Sequence, residues 1–212
     1  MKKLYLSILA LVIFASLLMA QVQSEPSEIV GYVNYECVAT GTGGNNLIAL
    51  AMENEFPMAS DLGNAYPGQI DAISRWLPGD QAWASASLVG TTWFGDFALE
   101  QGAGYFVNVL STINFYSVGK LLPPVSYHLV YLPTEDAGNN MIMVPLTLSD
   151  LDMASELADD IGVANVVSRW LANDQAWNSA SLVGTTWFGD FGVNIAMPLM
   201  VNVTADVPAW PE

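Results

Sequence analysis

The sequence predicts a mainly β, β-rich α+β protein: two tandem homologous antiparallel units, sandwich- or barrel-like, each with one short helix. Three observations predict it. A 24-residue segment occurs twice, 94 residues apart. Short β-branched and aromatic runs are punctuated by Gly, Asn, Asp and Pro, the pattern of antiparallel sheets. One helical stretch per unit is too few for a parallel α/β sheet.

The repeat fixes the organisation. Residues 74–97 and 168–191 differ only at Pro78/Ala172, Gly79/Asn173 and Ala84/Asn178. Chance does not produce this, so the chain is a duplication. Looser matches extend the repeat. Gly44-Asn45-Asn46-Leu47-Ile48 answers Gly138-Asn139-Asn140-Met141-Ile142, and Tyr105 to Val109 answers Leu199 to Val203. A period of 94 residues is a domain-sized unit rather than a solenoid turn. The seam falls near Leu121-Leu122-Pro123-Pro124, where two prolines interrupt helix and central strand alike. The predicted domains are 24–122 and 123–212.

The elements follow in order. Strands are predicted at Ile29–Val38 and Asn46–Met52, with counterparts at Ser126–Leu132 and Asn140–Leu146. A helix comes next. Ser149 is placed as the cap of Asp150–Ile161, because Leu151, Ala154, Leu157, Ala158 and Ile161 share one face. Its counterpart starts at Ser60 and ends before Pro67-Gly68. Strands Ala72–Leu77 and Val163–Leu171 lead through a turn into Gln81–Ala86 and Gln175–Ala180. Gly90–Asp96 and Gly184–Asp190 read as loops. Phe97–Leu99, Tyr105–Leu110 and Asn114–Val118 complete the first unit. In the second, Pro198 places the run before it at an edge or bend. The apolar stretch Val193–Val203 then needs cover from the first unit or another subunit.

Residues 1–20 read as a secretory signal. Lys2 and Lys3 precede the apolar run Leu4–Met19, and Ala20 stands before Gln21 at a tolerable cleavage site. The predicted location is secreted, periplasmic or cell-surface, with no membrane insertion after cleavage. Cleavage leaves Arg75, Lys120 and Arg169 against 21 acidic residues, a net charge of −18. Nucleic-acid binding, which needs a basic footprint, is excluded. One Cys forbids an intrachain disulfide and a thiolate metal cluster, and one His forbids a multi-histidine centre. Cys37 reads as a small buried residue in an early strand.

The candidate ligand residues are Arg75, Asp80, Trp83, Trp93 and Asp96, with Arg169, Asp174, Trp177, Trp187 and Asp190. Indole faces pack on sugar rings and carboxylates accept sugar hydroxyls, so a glycan site is chemically coherent. The architectural reading of the same residues leads. It takes the tryptophans as core and has each Arg pair with Asp80 or Asp96, or their counterparts, to hold a turn.

Catalysis is not expected. His128 has no repeated partner, and no nucleophile elbow, metalloprotease helix or phosphate loop occurs. Gly41-Thr42-Gly43-Gly44 reads as a turn. Asp80/Asp96 and Asp174/Asp190 have the residue types of glycosidase pairs, but turn carboxylates are commoner. No cofactor is implied. A weak Ca²⁺ site is the one metal reading considered, at Asp150, Asp152, Asp159 and Asp160 or at the Asp96 and Asp190 loops.

The pattern Asn46-Leu47-Ile48-Ala49-Leu50, Ala59-Ser60-Asp61-Leu62, Arg75-Trp76 and Gly102-Ala103-Gly104-Tyr105-Phe106-Val107-Asn108-Val109 resembles uncharacterised repeat modules of exported and cell-surface bacterial proteins. The resemblance implies an extracytoplasmic, non-catalytic module and supplies no active residue. The expected function is a secreted or cell-surface structural or interaction protein. The alternative is a carbohydrate-binding protein using Trp and Asp. The expected partner is a protein or glycan at the cell surface, or a second copy of the chain.

Overall fold

A computed structural model describes residues 30–41, 44–53, 56–121 and 123–211. The predicted signal segment lies outside them, as does part of the Gly41–Gly44 turn. The protein is mainly β, and its two units share one architecture. The first contains β1 (Val30–Cys37), β2 (Asn45–Ala49), α1 (Ala59–Ala65), β3 (Ile70–Leu77), β4 (Ala82–Val89), β5 (Thr92–Phe94), β6 (Gly104–Val109) and β7 (Ile113–Lys120). The second contains β8 (Tyr127–Leu129), β9 (Asn139–Met143), α2 (Ala154–Ile161), β10 (Ala164–Leu171), β11 (Ala176–Val183), β12 (Thr186–Phe188), β13 (Pro198–Val203) and β14 (Val207–Trp210).

Each unit is sandwich-like. The first has a five-stranded sheet ordered β2-β6-β3-β4-β5 and the second one ordered β9-β13-β10-β11-β12. Every strand pairing in both, among the described residues, is antiparallel. A two-stranded ribbon, β1-β7 or β8-β14, forms the second layer beside the helix. The strand period of two sorts the faces. Ile48, Ile73, Ala86, Tyr105 and Val107 meet Leu62 of α1 and Cys37 and Phe115 of the ribbon in one core. The second core repeats this with Ile142, Val167, Ala180, Leu199, Val201, Leu157, Leu129 and Trp210. Burial pushes the Cys37 thiol up to about 12, in keeping with an inert packed side chain.

The Gly-Asn-Asn matches have a backbone reason. Gly44 and Gly138 lie where a Cβ would enter the carbonyls of Val109 and Val203. The next-but-one residue is a buried amide. Asn46 Oδ1 accepts from Val38 N at 2.7 Å, while Nδ2 donates to Val38 O at 3.1 Å. Asn140 holds Val130 in the same way, at 2.8 and 3.0 Å. The side chain thus supplies the two bonds of a missing strand neighbour.

Four expectations are corrected. The segment read as a loop after Gly90 and Gly184 contains strands β5 and β12, paired to β4 and β11. Phe97–Leu99 is no strand; Ala98 makes one isolated bridge to Met58. Ser149 does not cap α2, which begins at Ala154. Asp152 and Met153 are instead drawn into extended contact, with Val193 N on Asp152 O at 2.9 Å and Met153 bridged to Gly192. Finally, the run before Pro198 is the expected bend, and its Ala196 packs on Ala49 and Ala51 of the first unit, but Pro198 itself opens β13, which lies between β10 and β9 and needs no outside cover. A proline is tolerated at a strand's first residue, and Leu199, Val201 and Val203 are buried in their own unit's core.

Candidate functional site

The outer faces of the two large sheets meet, and the repeated segment supplies the contacts. Trp76 and Trp83 are a cross-strand pair on β3 and β4, and Trp170 and Trp177 are their counterparts on β10 and β11. The Trp76 indole N–H donates to Asn139 O of the second unit at 2.7 Å. Gln81 reinforces it: Nε2 donates to the same carbonyl at 3.0 Å, and Oε1 accepts from Asn139 N at 3.0 Å. The reciprocal set runs the other way. Trp170 and Gln175 donate to Asn45 O at 2.7 and 3.0 Å, and Gln175 Oε1 accepts from Asn45 N at 3.1 Å.

Asn45 and Asn139 begin β2 and β9, the inner edges of their sheets. Each glutamine amide therefore stands in for the peptide group of a further strand and closes an edge. Gln81 and Gln175 lie in the left-handed region at φ 47° and 50°. A non-glycine residue there is strained. Each side chain offsets the strain by also donating to its own turn, to Pro78 O at 2.7 Å and Ala172 O at 2.6 Å.

Two tyrosines cross the same boundary. Tyr35 OH donates to Ala196 O at 2.8 Å, and Tyr127 OH lies 2.8 Å from Gly102 O. Burial raises both hydroxyl pKa values, so both stay protonated donors. Ala49, Ala51, Met143 and Ala196 form a small buried cluster beside them. The units are therefore joined by a buried apolar seam, hydrogen bonds and rings.

The rings are continuous. Trp76 and Trp83 meet edge to face with centroids 5.1 Å apart, and Trp170 and Trp177 do so at 5.3 Å. Phe106 of β6 lies between the pairs, 5.0 Å from Trp83, 4.9 Å from Trp170 and 5.7 Å from Trp177. Trp83 and Trp177 stay open to solvent, at 41% and 38% exposure.

The ten predicted residues thus separate. Trp83 and Trp177 come together. Trp93 and Trp187 lie on the opposite sheet faces, towards the helices; Trp93 rests on Gly63, where a Cβ would enter its ring, and donates to Asn64 Oδ1 at 3.0 Å. Asp96 and Asp190 fix the helix starts. Asp96 accepts from Ser60 N at 2.9 Å and from its hydroxyl at 2.6 Å, and Asp190 accepts from Ser155 at 3.0 and 2.6 Å. Asp80 and Asp174 are exposed in the turns. The expected pairing of Arg with Asp gives way to a different contact. Arg75 lies over the Phe97 ring at 4.7 Å and Arg169 over Phe191 at 4.5 Å, a cation–π arrangement. The Asp96 carboxylate is occupied by Ser60 and by Phe97 N at 3.0 Å.

Ser126, His128 and Glu100 share the lining of a cavity of about 260 Å³. Among the described residues His128 bonds to neither, so no nucleophile–base relay is formed. Among the described residues there is no cluster of three or more His, Cys, Asp or Glu side chains. Of the calcium candidates, Asp160 accepts from Trp210 Nε1 at 2.8 Å, and Asp150 accepts from the Ser149 hydroxyl at 3.1 Å.

Sequence reasoning missed Gln81, Gln175, Asn45 and Asn139. Their signal was present: Asp-Gln-Ala-Trp is identical in both copies although the two residues before it differ. Compared with family models, curated proteins and solved structures, the chain matches none.

Proposed function

We propose that this is an exported, non-catalytic structural or interaction module whose duplicated segment serves first to join two units into one body. The observation that carries the reading is where that segment is spent. Trp76, Gln81 and Asp96, with Trp170, Gln175 and Asp190, tie unit to unit and helix to sheet. Residues so engaged are not free to attack or protonate a substrate. Export is supported by the basic-apolar start of the chain, and a surface role by its acidity, which favours solubility and disfavours binding of polyanions.

The test has two arms. The full chain is expressed from Met1 in a bacterial host, and the intact mass of the extracytoplasmic product is measured. The expected product begins at Gln21; a cytoplasmic product that retains Met1 overturns the export reading. The purified product is then assayed against chromogenic esters and glycosides. No turnover is expected. Turnover abolished by His128→Ala would establish an enzyme and overturn the non-catalytic reading.

A further inference from the structure

We infer that Trp83, Phe106 and Trp177 form a binding bed for a neutral polysaccharide chain, laid across the boundary between the two units. The inference builds on the non-catalytic reading and adds a ligand to it. Tryptophan is among the residues most fully sequestered on average, yet these two keep 41% and 38% of their surface in water. They are also fixed in place. Each meets, edge to face, a second indole whose N–H is tied to the opposite unit. A ligand therefore meets rings already ordered, and the entropy of ordering them is not charged to binding.

Their polar groups remain available. Among the described residues, neither the Trp83 nor the Trp177 indole N–H makes a hydrogen bond. Strand alternation puts Ser85 and Ser87 on the face of Trp83, and Ser179 and Ser181 on the face of Trp177; the Ser85 and Ser179 hydroxyls already share hydrogen bonds with those of Ser74 and Ser168, at 2.7 Å each. Aromatic faces beside hydroxyl groups match a pyranose ring, which presents C–H patches on its faces and hydroxyls around its rim. Phe106 lies 5.0 and 5.7 Å from the two indoles, so the bed is continuous and suits a chain better than a single sugar.

Charge selects the class. Stacked aromatics also suit single-stranded nucleic acids, but those need a cationic groove. With −18 on the chain after residue 20, and no Lys or Arg among the face-sharing positions named above, polyanions are repelled. Among glycans the charge therefore selects an uncharged chain, whose C–H faces and rim hydroxyls fit the rings and serines of this face.

The test uses the full chain and four hexasaccharides: cellohexaose, laminarihexaose, chitohexaose in its N-acetylated form, and hexagalacturonate. Binding is followed by calorimetry and tryptophan fluorescence. At least one neutral hexasaccharide is expected to bind, with hexagalacturonate silent. Trp83→Ala and Trp177→Ala should each weaken binding about tenfold or more, as truncation of a buried aromatic anchor does. Trp83→Phe and Trp177→Phe, which keep a ring, should retain most of it, with circular dichroism verifying the fold of each variant. Silence of all three neutral sugars overturns the inference, as does binding that survives the double alanine variant. Neither result touches the non-catalytic reading. Release of new reducing ends from a bound sugar would overturn that reading and leave the bed intact.

Discussion

The indole N–H of Trp76 donates to the backbone carbonyl of Asn139 at 2.7 Å, from one unit to the other. Its repeat counterpart Trp170 donates to Asn45 at the same distance. Residue i contacts j, and j's equivalent contacts i's equivalent, which is the rule of a two-fold isologous interface. Here both halves of that interface are encoded in one chain. The closely matched segments are thus the two sides of a reciprocal joint, and the same joint holds open the aromatic bed.

The glutamine clamp predicts a graded loss of stability. Gln81→Ala removes three side-chain bonds and keeps the strained φ of 47°. Urea denaturation should show a loss of about 2–3 kcal/mol. Gln81→Gly removes the same bonds but relieves the strain, so it should cost about 1 kcal/mol less. Gln175 should reproduce both values, since its contacts are equivalent. Equal losses for Ala and Gly would refute the role given to backbone strain.

Much of the fold was legible in the residues. β-branched and aromatic runs located the strands, and along β7 core and surface positions alternate, as at Ile113, Asn114, Phe115 and Tyr116. The three-residue strands β5 and β12 were not legible. Gly90 and Gly95 flank Thr92–Phe94 at positive φ and read as loop punctuation. The start of α2 was misread because Leu151 continues the helical spacing, while a distant strand segment at Gly192–Val193 competes for Asp152 and Met153. The site was half legible. Trp83 and Trp177 could be named from composition and repetition. Asn45 and Asn139 act through backbone groups, which no side-chain pattern reveals, and Phe106 was hidden because its counterpart is Met200.

The Gly-Asn-Asn turns predict losses of two kinds. Asn46→Ala strips Val38 N and O and Gly44 O of a buried partner. A cost of about 3 kcal/mol is expected, with the same for Asn140→Ala. Gly44→Ala should be at least as damaging. Its Cβ would enter the Val109 carbonyl, a backbone atom that cannot turn aside. Chemical denaturation of the three variants tests this, and a neutral Gly44→Ala would contradict the close approach.

The carboxylates assigned to helix anchoring predict coupling with specific serines. Asp96 reaches the backbone N–H and the hydroxyl of Ser60. Loss of a helix-start acceptor costs about 1–2 kcal/mol, and Asp96→Ala and Asp190→Ala should each show that loss. A double-mutant cycle of Asp96→Ala with Ser60→Ala should give a non-zero coupling energy. Additive losses, together with a changed hexasaccharide affinity, would instead place Asp96 in the ligand site.

The buried acids predict where alkali unfolds the protein. Burial pushes Cys37 from 9.0 up to about 12, and pushes Tyr105 from 10.0 up to about 12 against the opposing pull of the Glu100 backbone bond. Burial raises Tyr35 and Tyr127 as well, at the joint itself. An acid whose pKa is higher when folded holds its proton more tightly in the folded state. Its stabilising contribution is complete below the unfolded pKa and is lost as pH rises towards the folded one. The vulnerable window therefore opens near pH 9 and runs to about 12. Circular dichroism should stay constant between neutrality and the start of that window, then fall cooperatively within it. Tyrosinate absorbance from the buried tyrosines should appear with the unfolding, and Cys37 should resist thiol reagents until the same point. Complete tyrosine ionisation with the circular dichroism unchanged would show that Tyr35 and Tyr127 are not the buried donors joining the two units.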